Sequence, residues 1–177
     1  KHNALDGATK SELDAALTNI AADSKARLVV LTGAGASFCA GADIGHMRSM
    51  LDITEAQNLA DALILARLLR RLDEIELPLI ARVNGNAFGG GVGLIACADI
   101  AIGATSAKFA LTEVRLGIVP AAISPYVVAA IGSRQARRLF LTAAPFIAVE
   151  AKELGLLHFM ASPEQLDQIV SQQIEHL

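Results

Sequence analysis

A chain of 177 residues, 53% hydrophobic and 19% charged, with 15 basic against 18 acidic side chains and a net charge of −3, is long enough to bury one sizeable core. That excludes a disordered tail and a disulfide-held miniprotein, and without a polybasic stretch there is no electrostatic case for binding nucleic acid or an anionic membrane. No run approaches the roughly 20 apolar residues of a membrane span. The uncharged stretch Val83 to Ala98, for instance, is interrupted by Asn84, Asn86 and several glycines. Lys1-His2-Asn3 has neither an initiator methionine nor the layout of a signal peptide, so a trimmed N-terminus is expected. Cys39 and Cys97 lie far apart in apolar or small-residue surroundings, which favours a reduced, cytoplasmic chain.

Thr9 to Asp23 places Leu13, Ala16, Leu17 and Ile20 at helical spacing and predicts an amphipathic helix. Leu28 to Thr32 is a β-branched run ended by Gly33, the pattern of a strand buried on both faces. Gly33 to Ala42 reads as a loop of small residues around Phe38, followed by a short amphipathic piece at Ile44 to Leu51. Thr54 caps a long helix through Ile75, with acids near its start and Arg67, Arg70 and Arg71 towards its end, the order a helix dipole favours. Pro78 closes it, and Leu79 to Val83 is a second buried strand ending at the Asn84-Gly85 turn. Phe88 to Ala98 begins as a glycine loop and continues as an uncharged helix, which only a central, buried position tolerates. Asp99 to Gly103 and Lys108 to Ala110 are strands, and the pattern after Pro120 is helical through Ala143. Val149 to Gly155 and Pro163 to Leu177 supply the last helices, with His158 in an apolar, strand-like stretch between them. The alternation predicts an α/β architecture with helices covering a sheet.

Two loops combine glycine with small residues directly before a helix: Cys39-Ala40-Gly41-Ala42-Asp43-Ile44 and Phe88-Gly89-Gly90-Gly91. At such helix starts backbone N–H groups lack intrahelical partners, and two such loops facing one another would make an oxyanion hole. The alternative is a pair of tight turns that let helices pack closely on strands. A phosphate cradle is disfavoured, since no Lys-Ser/Thr follows the glycines. Among the acids, Asp43 stands where a helix begins and Asp99 between a helix and a strand, so both suit capping or backbone pairing. Glu113 is flanked by apolar residues that would raise its pKa into a range useful for a general base, against the alternative of an ion pair with Arg115. His46 follows the first loop without a second ligand at metal spacing, so no metal site is expected, and Cys39 reads as a small buried hydrophobe.

Taken in order, several of these motifs resemble one family. They are Asn3-Ala4-Leu5, Leu28 to Gly33, Ser37 to Ile44, Asn84-Gly85-x-Ala87-Phe88-Gly89-Gly90-Gly91, Ala98-Asp99-Ile100 and Phe109-x-x-x-Glu113-Val114-x-Leu116-Gly117-Ile118-Val119-Pro120. Together they are similar to the enoyl-CoA hydratase/isomerase (crotonase) family. The resemblance implies a spiral of ββα units over residues 1–145, with 146–177 as the start of a C-terminal helical region that members continue further; members also begin with a strand before the position of Lys1. It implies an acyl-CoA thioester as substrate, with coenzyme A carried by the substrate and no separate cofactor, and assembly into trimers or pairs of trimers. The positions matching its oxyanion donors are Ala42 and Gly90. Ala40, Gly41, Asp43 and Ile44, with Gly91 and Gly93, match positions that hold the substrate and its coenzyme. Glu113 matches a catalytic glutamate.

Hydratases of this family usually carry a second glutamate at the position of Gly93. With a single carboxylate the chain also resembles the isomerases, which move a proton between C2 and C4. The runs Gly91 to Ile95 and Pro120 to Val128, with Ala130-Ile131-Gly132 and Ala136-Arg137-Arg138, look like bacterial hydratases of branched glutaconyl-CoA substrates from leucine or terpenoid breakdown. Hydration of a 2-enoyl-CoA is the favoured expectation, isomerisation and a non-catalytic CoA-binding subunit the alternatives. Polar groups or water beside Gly93 would support hydration, an apolar wall isomerisation. Gly45 stands where many relatives carry a lysine near the coenzyme phosphates, which leaves Lys1 or Arg48 as substitutes.

Overall fold

Each apolar run read as a strand does form one, and most are followed within a few residues by a second, shorter strand. The computed structural model describes residues 2–49 and 52–177, and of Ile44 the backbone alone. Helix α1 (Gly7–Ala22) leads to β1 (Val29–Thr32) and β2 (Ser37–Cys39), then α2 (Ile44–Ser49) and α3 (Glu55–Asp73). Next come β3 (Leu79–Val83), β4 (Asn86–Phe88) and α4 (Gly90–Ala96). After them run β5 (Ile100–Ala104), β6 (Lys108–Ala110), a 3₁₀ turn (Glu113–Leu116) and α5 (Ser124–Thr142). The chain ends with β7 (Phe146–Ile147), α6 (Ala148–Glu153), β8 (Phe159–Ala161) and α7 (Leu166–Glu175).

The first six strands alternate between two four-stranded sheets, ordered β1-β3-β5-β8 and β2-β4-β6-β7, with β7 completing the second and β8 the first. Successive ββα units each add one strand to either sheet, so the architecture is the α/β spiral that the resemblance implies. Every pairing is parallel except β6 with β7. In the first sheet Ile80 lies between Val30 and Ile100, a register in which β-branched side chains meet across strands.

Three strands correct the sequence reading. β2 lies inside the stretch taken as a loop, and β4 and β7 went unread. Two or three residues are too few for alternation to show, and their ladder partners lie far along the chain. Residues 146–177 are likewise more than a helical region, since they contribute β7 and β8 to the two sheets.

Local chemistry explains the helices. The Thr54 hydroxyl accepts from the Gln57 N–H while the Gln57 side chain accepts from the Thr54 N–H, a reciprocal cap that starts α3. Residues Gly90 to Ile95 of α4 are all buried, as their lack of charge predicts. Around α4 gather Leu68 and Leu69 of α3, Phe109 of β6 and Leu139 of α5, none more than 1% exposed. Across the first sheet, Ile80 and Ile102 pack instead with Leu166 and Val170 of α7. β3 and β5 are therefore covered on both faces, as continuous apolar runs predict, whereas β1 corrects the reading of Leu28 to Thr32: it is the edge strand, and Val30 and Thr32 are exposed. Among the described residues no helix is long and apolar enough to cross a membrane.

Phe109 is fully buried and stacks on Phe146 with ring centroids 5.5 Å apart, joining β6 to the antiparallel β7. Phe109→Ala is expected to cost about 3–5 kcal/mol of stability, read from urea unfolding. A loss below about 1 kcal/mol would show that this contact does not hold the edge of the second sheet.

Candidate active site

Strands β2, β4 and β6 lie side by side and parallel, with Cys39 opposite Ala87 and Phe88 opposite Ala110. Their carboxyl ends open on one edge, so the loops leaving them bring Ala40–Asp43, Gly89–Gly91 and Leu111–Glu113 together. Groups from successive loops converge on ligands at this edge of a parallel sheet.

The first two loops touch through their backbones. Gly41 has φ +83°, and a Cβ there would stand 2.7 Å from the Phe88 carbonyl oxygen, so only glycine meets both demands. Gly91 lies against Cys39, and the Leu5 side chain against Gly90. Leu5 also donates its N–H to the Gly41 carbonyl at 2.8 Å, forming an isolated parallel bridge with Ala42. The Ala40 N–H is taken by the His2 carbonyl at 3.0 Å. Ala42 is exposed, whereas Gly90 is buried at the first position of α4, where its N–H has no intrahelical acceptor. Among the described residues, neither N–H is donated to another protein group.

Glu113 approaches from the third loop. Its Oε1 lies 3.1 Å from the point a Cβ on Gly89 would occupy, so the carboxylate rests against the second loop. Its Oε2 is buried and has no hydrogen-bond partner. Burial pushes its pKa up, opposed by a hydrogen bond to its own backbone. The alternative ion pair is not made, because Arg115 donates instead to the Ala143 carbonyl at 2.8 Å. A desolvated, unpaired carboxylate costs stability, and it is the kind of group that takes and returns protons.

The remaining candidates separate clearly. Asp43 caps α2, its Oδ1 accepting from the His46 N–H at 2.8 Å, and the backbone of Ile44 begins that helix. Asp99 accepts from the Leu79 N–H at 2.8 Å. Arg48 is exposed on α2, and Lys1 lies outside the described residues. Both cysteines are buried and free, and burial pushes the Cys97 thiol up to about 12. Among the described residues no group of three or more His, Cys, Asp or Glu side chains is placed to hold a metal ion.

Gly93 faces a wall. A Cβ there would lie 2.4 Å from Cγ2 of Ile123 and 3.7 Å from Cδ2 of Leu69. Ile123, 2% exposed, thus closes the space that a longer side chain on α4 would need. Ile123 stood in a run singled out from sequence without a role, since a fit across thirty positions leaves no local signal. Asp61 was missed for a similar reason. It accepts from Lys10 Nζ at 2.8 Å and His46 Nε2 at 3.0 Å, three side chains on three helices with no shared motif.

The family model described as enoyl-CoA hydratase/isomerase matches residues 1–177. A short-chain-enoyl-CoA hydratase of Clostridium acetobutylicum is 37% identical over 166 residues, covering 93% of this chain and 62% of that protein. A crotonyl-CoA hydratase of Syntrophomonas wolfei is 37% identical over 166 residues, covering 93% of this chain and 63% of its own length. Among solved structures, an enoyl-CoA hydratase from Shewanella pealeana superposes with a TM-score of 0.96 at 44% identity, over 99% of this chain and 66% of that one. The chain therefore spans somewhat over three fifths of the length of these two curated relatives.

Two outcomes test this geometry. Gly93→Ala is expected to lose about 1–3 kcal/mol by overpacking against Ile123, and Ile123→Ala in the same chain to recover part of that loss. Additive losses in the double-mutant cycle would refute the fit. Glu113 binds its proton more tightly folded than unfolded, so its protonation favours the native state at low pH, and that contribution is lost as pH rises through the raised pKa. Glu113→Gln, neutral throughout, should therefore unfold at a higher temperature than the unmodified chain near pH 8, the gap closing below about pH 4. A gap of the opposite sign would mean that the carboxylate has a partner when folded.

Proposed function

The chain belongs to the enoyl-CoA hydratase/isomerase family, and on that premise we propose that it adds water across the 2,3 double bond of an enoyl-CoA thioester. The observation that carries this reading is Glu113, a carboxylate with one buried, unpartnered oxygen set against the loop that leads to the Gly90 N–H. The N–H groups of Ala42 and Gly90 hold the thioester oxygen, and removing one such donor typically costs about 3 kcal/mol of transition-state stabilisation. Glu113 takes a proton from water as its oxygen bonds to C3. The electron pair of the double bond moves into the enolate, and Glu113 returns the same proton to C2. One carboxylate thus completes the addition with atoms and charge in balance, and its raised pKa suits both halves of the transfer.

The finer features of this reading are proposals resting on the resemblance. Coenzyme A enters as part of the substrate, held around Ala40, Gly41, Asp43 and Ile44 and beside Gly91 and Gly93, with no separate cofactor. The run Pro120 to Val128 supports a branched, methylglutaconyl-like acyl chain. Three copies, or two sets of three, make the working assembly. A second reading has one observation in its favour: the wall beside Gly93 is apolar, formed by Ile123 and Leu69, which suits a single carboxylate moving a proton from C2 to C4.

Mixing the protein with crotonyl-CoA and methylglutaconyl-CoA should bleach the conjugated thioester absorbance. Glu113→Ala is expected to lower turnover by about 10²- to 10⁴-fold while leaving CoA binding nearly intact. Full activity in that variant would remove Glu113 from the mechanism. Turnover of a 3-enoyl-CoA without hydration would establish the isomerase, and binding without turnover of either substrate a CoA-binding subunit.

A further inference from the structure

The Ala42 loop is held from two sides, and both lead to one oxygen atom. On one side Leu5 pairs with the loop, and the next residue, Asp6, caps α1 by accepting from the Thr9 N–H at 2.7 Å. Lys10, in the first turn of α1, is 4% exposed, the one charged side chain buried to that degree among the described residues. Its ammonium donates to Oδ1 of Asp61 at 2.8 Å. On the other side Asp43 caps α2, and His46 of α2 donates from Nε2 to the same Oδ1 at 3.0 Å. Among the described residues helix α2 spans Ile44–Ser49, under two turns, which is too little to hold a position by itself. Among the described residues, His46 to Asp61 is the side-chain hydrogen bond that ties α2 to another element.

We propose that Asp61 is a positioning residue, which places the Ala42 N–H by tying α1 and α2, the two flanks of its β-bridge, to α3. This rests on the reading of Ala42 as an oxyanion donor. A buried ammonium demands an anionic partner, so Lys10 fixes where the Asp61 carboxylate stands. Burial opposes ionisation of Asp61, but the hydrogen bonds from Lys10 and His46 outweigh it and hold the carboxyl below its usual range. The carboxylate is thus available to hold His46, and with it α2 and the loop that α2 ends. An oxyanion donor acts over a few tenths of an ångström, and a displacement of about 1 Å is enough to cost about 10²-fold in rate. Loss of the anchor should therefore appear in kcat more than in KM.

The test compares Asp61→Asn, His46→Ala and His46→Gln in the whole protein by turnover of crotonyl-CoA and amide hydrogen exchange. Gln is the conservative variant, since its side-chain amide can donate to the same oxygen. Asp61→Asn and His46→Ala should lower kcat by about 10- to 100-fold with KM within about threefold, while His46→Gln stays within about threefold of the unmodified protein. Exchange over residues 40–49 should quicken about tenfold in the two impaired variants and stay unchanged in α4. Unchanged turnover per folded molecule, unchanged exchange over that segment, or equal impairment in His46→Gln and His46→Ala would each overturn the proposal. Should Asp61→Asn fail to fold, the two His46 variants decide, because they leave the Lys10 pair intact. If the unmodified protein turns over no enoyl-CoA, the functional reading falls, and exchange over the same segment alone upholds or overturns the anchor.

Discussion

Parallel pairing of β2, β4 and β6 is the constraint from which the candidate site follows. Parallel strands send their carboxyl ends the same way, so three loops separated by long stretches of chain emerge at one edge. The strands themselves are only three residues each and could not hold register alone. They are held because each belongs to a ββα unit whose longer strand is locked into the first sheet, and because α4 is buried between the two sheets and α5. The site is thus rigid through its surroundings, with little intrinsic stability in the loops that form it.

Close approach of backbone to backbone is the second theme. Gly41 lets one loop reach the Phe88 carbonyl, Gly91 lets α4 reach Cys39, and Gly93 lets Ile123 fill the flank of α4. The first two draw the candidate donors together, whereas the third leaves an apolar wall beside α4. Glu113 rests against the second loop, and in the proposed reading it is the carboxylate that moves protons. Its buried, unpartnered oxygen is a local loss of stability of the kind that functional sites retain and that a core position would not.

The anchor at Asp61 follows a different logic. It is a charged device outside the reacting centre, and its strength comes from the near-complete burial of Lys10. A short helix attached to a candidate oxyanion loop needs an external hold, and a carboxylate shared by two donors supplies it without occupying the site.

Much of this protein was determined by local sequence. The continuous apolar runs at Val29–Thr32, Leu79–Val83 and Ile100–Ala104, the Thr54 cap and the uncharged helix after Gly90 follow from short-range chemistry, and the structure places them within a residue or two of where they read. So did the glycine loops, whose small residues signal close approach wherever they lie. The sequence alone left Glu113 between a base and an ion pair, because burial and the choice of partner by Arg115 are properties of the assembled fold. Strands of two or three residues, the fit of Ile123 to Gly93 and the meeting of Lys10, His46 and Asp61 were decided only in three dimensions. Each depends on groups brought together by sheet topology from distant parts of the chain, where no periodicity or motif links one partner to the other.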